Sequence, residues 1–119
     1  MTLLSGALLG FMEEAGVAIL TLTEAVEPEE FFSSRLTQHE VMRHMRVLVE
    51  TAASVPDELK HKLIDIDWAG LAVLCAKLKL EGGFERDAVW FGVRSLAPAT
   101  LMWLRFYRKD APELFSLTP

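Results

Sequence analysis

Residues 65–80 restrict most what this chain can fold into. Asp65 and Asp67 open the stretch with two carboxylates able to cap a helix. Ile64, Trp68, Leu71, Cys75 and Leu78 then recur at three- and four-residue intervals, the period of one helix face. Lys77 and Lys79 fall near the end, where cations suit the negative pole of a helix, and Gly82-Gly83 supplies a stop. No stretch of the chain alternates with period two over a convincing length, so nothing nominates a strand. The pattern predicts an all-α fold with residues 65–80 as its central helix.

The remaining chain divides in the same way. Residues 3–26 read as a long helix with Leu4, Leu8, Phe11, Ala15, Ala18 and Leu22 on one stripe. Leu3, Ala7, Met12 and Ile19 broaden it, so this helix must be covered on more than one side. Pro28 ends it or starts a short turn over 29–33. A second long helix is expected over 34–54, with Val41, Met45, Leu48, Val49 and Ala52 apolar. On its other faces Glu40 can meet His44, and Arg46 can meet Glu50, at i,i+4. Pro56-Asp57 starts a short helix to about residue 63, proline being suited to the first turn. Residues 84–97 carry Val89, Val93, Leu96 and Ala97 on one face. Pro98 is expected to break or kink the helix before residues 99–109 continue it. The sum is one domain, an up-and-down bundle of four to five helices.

At 119 residues the chain can bury a core without staples. Its 51% apolar residues and mean hydropathy of +0.26 exceed what a monomer readily hides, so a homodimer is expected. Cys75 has no disulfide partner and reads as a buried thiol in a reducing, cytoplasmic setting. The absence of Asn and the single Gln fit a high working temperature, although five Met weigh against it. No basic segment precedes the apolar N-terminal stretch and Glu13-Glu14 interrupts it, which argues against a signal peptide or membrane span. Residues 1–58 hold ten acids and three bases, net −7; residues 59–119 hold seven acids and nine bases, net +2. That balance excludes a generally basic nucleic-acid-binding surface.

The usual chemical constellations are missing. Glu40 and His44 have no second copy from which to build a di-metal site, His39 and His44 lie on different helix faces, and His61 stands apart, so no metal or cofactor is expected. Cys75 has no His near it in sequence, and Gly82-Gly83 lacks phosphate-loop spacing. Trp68, Trp90 and Trp103 read as core or interface anchors. Of these Trp103 has basic neighbours, Arg105, Arg108 and Lys109, of the kind that base stacking would need.

Residues 29–71 carry a more specific signal. Glu29-Glu30-Phe31-Phe32 is followed by Arg35-Leu36-Thr37-Gln38, then by Pro56-Asp57-Glu58-Leu59, then by Ile66-Asp67-Trp68-Ala69-Gly70-Leu71. Trp103 and the close Asp110-Ala111-Pro112-Glu113-Leu114 complete the series. This order resembles the HepT-like branch of the HEPN superfamily, while residues 79–100 fit it poorly and look like an insertion or a divergent helix. The resemblance implies a homodimeric four-helix bundle of HEPN type. It further implies a metal-independent ribonuclease toxin whose antitoxin is a minimal nucleotidyltransferase. The implied catalytic pair is an Arg followed, after four to six residues, by a His, directly after the Ala-Gly-hydrophobic run. Such a His would serve as general acid–base and the Arg would stabilise phosphate charge.

Those positions are altered here. Ala72 stands in the Arg slot and Lys77 in the His slot, with Lys79 where a Tyr often follows. Alanine offers neither charge nor donor, and a lysine is protonated at neutral pH unless strongly desolvated. Catalytic residues are therefore expected to be absent. The leading expectation is a degenerate HepT-like protein that associates with itself and with a nucleotidyltransferase. An altered ribonuclease, or a module binding nucleotide or RNA phosphates through Lys77, Lys79, Arg94 and Arg105, is the alternative.

Overall fold

The charge-poor N-terminal stretch forms a helix that packs against the two other long helices of the fold. In the computed structural model, which describes residues 3–80 and 86–115, α1 spans Leu3–Thr23 and buries Leu9, Met12, Ala15 and Ile19. The expected stripe is displaced: Phe11 and Leu22 are 48% and 36% exposed, and Leu9 is fully buried instead. A helix apolar on every side has no sector that its own periodicity singles out, so its neighbours decide which one is buried. The segment Ser5–Thr23 is long and apolar enough to cross a membrane by length and composition, and here one side of it is core.

Ala25 ends α1 earlier than expected. Its φ of 57° puts it in the left-handed region, the helix-ending conformation usually given to glycine. Thr23 Oγ1 donates to the Ile19 carbonyl at 2.7 Å within the last turn. The chain then enters α2 (Pro28–Ser33), whose one buried residue is Phe31. Ser34 caps α3 (Arg35–Ser54) by accepting from the Thr37 amide at 3.3 Å. The five apolar residues expected on α3 are all buried, joined by Met42. Glu40 pairs with Arg43 at 2.9 Å, one residue short of the expected His44.

α4 (Asp57–Lys62) starts after Pro56, as the sequence indicates, and α5 (Trp68–Lys79) follows. Ile64, expected on the α5 stripe, is 76% exposed, because the chain turns between the two helices and Ile66 enters the core in its place. Asp67 is the cap. Asp65 accepts a hydrogen bond from the Tyr107 hydroxyl, tying this turn to the last helix. Gly82-Gly83 and Pro119 lie outside the described residues.

Pro98 does not break the last helical run. α6 (Arg86–Phe91) passes through a π turn over Gly92–Leu96 into α7 (Ala97–Asp110), with helical backbone at both junctions. Proline lacks an N–H, and the widened turn, in which the Ala97 amide reaches the Gly92 carbonyl, absorbs the disruption. Val89, Val93, Leu96 and Ala97 are buried as their spacing predicts, so this part of the segment is integral to the core. A 3-10 turn over Pro112–Phe115 closes the described chain and buries Leu114 and Phe115.

Among the described residues the fold is all-α, with no strand. α1 packs against α3 on one side and α7 on the other, whereas α5 packs mainly on α3. The hub of the bundle is therefore α1, not the residue 65–80 helix. The described molecule measures 46 × 29 × 20 Å, so its thinnest dimension holds about two helix diameters.

The Tyr107–Asp65 contact carries a pH prediction. Burial, then the hydrogen bond to Asp65, raises the Tyr107 hydroxyl above its ordinary value of 10.0. The folded state then keeps its proton at a pH where the unfolded chain has lost it, so stability falls as pH rises beyond 10.0. Thermal unfolding of the wild type is expected to decline there more steeply than that of Tyr107→Phe. Parallel curves for the two proteins would remove this contact from the account.

Candidate functional site

The first turn of α5 is built around one carboxylate. Asp67 Oδ1 accepts from the Gly70 amide at 2.9 Å, satisfying a donor that the helix start leaves free. A Cβ at position 70 would lie 2.3 Å from Asp67 Oδ2, so Gly70 is explained locally: glycine makes room for the cap. The Trp68 indole donates to the Leu63 carbonyl at 3.0 Å, and Lys60 lies 5.6 Å from the centre of its ring. These contacts fix where the following residues of α5 project.

Downstream of this frame, α5 and α6 enclose a cleft of about 440 Å³. Val73 and Phe91, 57% and 54% exposed, form its apolar lip. Lys77 is half-buried in the lining, together with Asp67 and Asp87. A phosphate placed there would meet two carboxylates besides the ammonium, which lowers the attraction that Lys77 alone would exert. Ala72 is exposed and lies outside the lining. The lining holds no His and no Cys; Cys75 is 6% exposed, on the core side of α5.

The four basic residues named for phosphate binding occupy different surroundings. Lys79 follows Lys77 by two residues, which turns it roughly 200° around the helix. Arg94 lines a separate cleft near the end of α1, together with Glu24. Its guanidinium donates to the Val26 carbonyl and lies 4.7 Å from the centre of the Trp90 ring. Arg105 is exposed on α7 and lines neither cleft.

Sequence reasoning missed an arginine–aromatic cluster. Phe31 and Phe32 pack against Trp90, with ring centres 5.6 and 6.0 Å away, and Arg86 lies 4.2 Å from the centre of Phe32. With Arg94 over Trp90, two cations eight residues apart flank aromatic rings from two different helices. No local pattern signals this cluster, because it depends on α2 packing beside α6 and the π turn. Trp103, the one tryptophan with basic neighbours in sequence, instead packs against Phe106 and Tyr107. Arg108 bonds Glu13 of α1, its Nε 2.9 Å from the carboxylate, and lies over Phe115.

Among the described residues no three His, Cys, Asp or Glu side chains converge as a metal site would need. No family model matches the chain, and no solved structure matches it.

Proposed function

We propose that this protein is a catalytically degenerate HEPN-type bundle that works by association in the cytoplasm. It forms a homodimer and pairs with a minimal nucleotidyltransferase, in the manner of a toxin–antitoxin couple. The observation that carries this reading is the α5 surface. The Trp68-Ala69-Gly70-Leu71 frame is intact around its Asp67 cap, yet Ala72 offers only a methyl group to solvent, and Lys77 shares its cleft with two carboxylates. A 2′-hydroxyl cleavage needs a group that exchanges protons near neutral pH and a cation free to meet the phosphate. The α5/α6 cleft provides neither in usable form.

Phosphate binding by Lys77, Lys79, Arg94 and Arg105 as one patch gains no support from their placement on α5, the π turn and α7. The reading is tested by isolating the protein from its native host and identifying what accompanies it by mass spectrometry. Stoichiometric recovery of a nucleotidyltransferase, with a dimer mass for the purified chain in light scattering, is expected. A monomer that retains no protein of that class would overturn the proposal.

A further inference from the structure

Two departures from regular backbone meet at one cleft. Ala25, just past the end of α1, holds a φ of 57°, a region that residues other than glycine rarely occupy. The π turn over Gly92–Leu96 is the second, and such turns recur at functional sites. Ala25 and the π-turn residues Val93 and Arg94 line the same cleft, together with Pro98 and the last turn of α1. Its volume is about 440 Å³, inside the range of about 300–1,000 Å³ that small-ligand sites occupy. Uncommon backbone concentrates at ligand sites.

The cleft presents opposite charges that do not neutralise each other. Arg94 comes from the π turn and Glu24 from the end of α1. Arg94 is already oriented: its Nη2 donates to the Val26 carbonyl, and the guanidinium lies 4.7 Å from the centre of the Trp90 ring. Neither contact is with Glu24, and among the described residues no ion pair joins the two. A guanidinium has several N–H donors, so others remain for a ligand carboxylate. On the Glu24 side, a helix end leaves carbonyls without amide partners and carries the negative pole of its dipole. Pro98, without an N–H, spares a further carbonyl acceptor in the π turn. Half-buried Leu20 and Pro98 and buried Val93 supply the apolar part of the lining.

We propose that this cleft binds a free α-amino acid with an aliphatic side chain. The carboxylate pairs with Arg94, the ammonium meets Glu24 and the carbonyl end of α1, and the side chain packs on Leu20, Val93 and Pro98. Charge selects this class of ligand. A phosphate is drawn to Arg94 but repelled by Glu24 and the free carbonyls, and an amine without a carboxylate faces Arg94 unpaired. A zwitterion matches both ends. The site lies apart from the α5/α6 cleft and does not depend on the self-association proposed above.

The test is isothermal titration calorimetry of the full chain with L-valine, L-leucine and L-isoleucine in turn. At least one is expected to bind with a dissociation constant below about 1 mM. Its amide, which lacks the carboxylate, and the corresponding acid without the amine are each expected to bind at least about tenfold more weakly. Glu24→Gln, at an exposed position, and Arg94→Met are expected to weaken binding by a similar factor. Circular dichroism verifies that each variant is folded, and if Arg94→Met is not, Glu24→Gln carries the comparison alone. Dissociation constants above about 1 mM for all three amino acids would overturn the proposal, as would equal affinity for the two singly charged analogues. Inorganic phosphate bound as tightly as the amino acid would reveal a plain anion site and overturn it too. Binding unchanged in Glu24→Gln would place the ligand elsewhere and overturn this assignment.

Discussion

Phe31→Ala is expected to lower stability by about 3–5 kcal/mol, the usual cost of emptying a large aromatic site. A domain of this size holds only about 5–15 kcal/mol in total, so the variant should sit near the edge of folding at ambient temperature. Phe31 is fully buried and is the one buried residue of α2. A helix of six residues has no stability of its own and persists only through what it packs against. Phe31 supplies that packing, edge-to-face with Phe32 at 4.9 Å and tilted against Trp90 at 5.6 Å. Its loss removes the ring that joins α2 to Trp90 of α6. Urea unfolding is the measurement, with the midpoint falling and the slope unchanged. A shift worth less than about 1 kcal/mol would show that α2 lies on the core without belonging to it.

The second large effect is at the π turn. Gly92 is buried, and a Cβ there would lie 3.0 Å from Leu74 Cδ2 and 3.1 Å from Met45 Cε. Both are ends of flexible side chains, so one added methyl is absorbed by small shifts. The better helix propensity of alanine, worth up to about 1 kcal/mol, further offsets the crowding. Gly92→Ala is therefore expected to stay close to wild type. Valine adds two more carbons on a stiff, branched Cβ, and Gly92→Val should cost about 1–3 kcal/mol through overpacking where α3, α5 and the π turn meet. The contrast within one denaturation series is the point. Equal losses for both variants would locate the problem in the backbone of the turn, and no loss for either would show that this contact has slack.

The amphipathic parts of this fold were legible in the sequence, and the uniformly apolar parts were not. On α3 polar residues exclude all but one face, so all five expected core residues are buried. The same holds for Val89, Val93, Leu96 and Ala97. On α1 nearly every position is apolar, periodicity cannot choose a sector, and Phe11 was placed inside when it faces out. Ile64 was misplaced for a different reason: the helical period was extended back through a turn that Asp65 and Asp67 serve in separate ways. The end of α1 at Ala25 had no signal, because a positive φ is normally announced by glycine or asparagine. Pro98 was recognised as a disruption, but a wider helical turn relieves it as well as a break does.

Legibility of the candidate site followed the same division. Asp67 could be named beside Asp65 as a cap from local spacing, because a helix cap is local structure, whereas Gly70 and the altered positions Ala72 and Lys77 were named through the resemblance. That Asp87 and Phe91 complete the cleft around Lys77 depends on how α6 packs, which no local pattern encodes. That Lys77 and Arg94 line separate clefts, and Arg105 neither of them, is likewise a tertiary fact.

The central proposal is that α5 has the frame of a HEPN-type ribonuclease helix without its chemistry. Incubating purified wild-type protein at high concentration with total RNA, beside Lys77→Ala, tests it most directly. The account predicts intact RNA in both samples and no difference between them. Cleavage by the wild type that disappears in Lys77→Ala would contradict it and make Lys77 part of an active site.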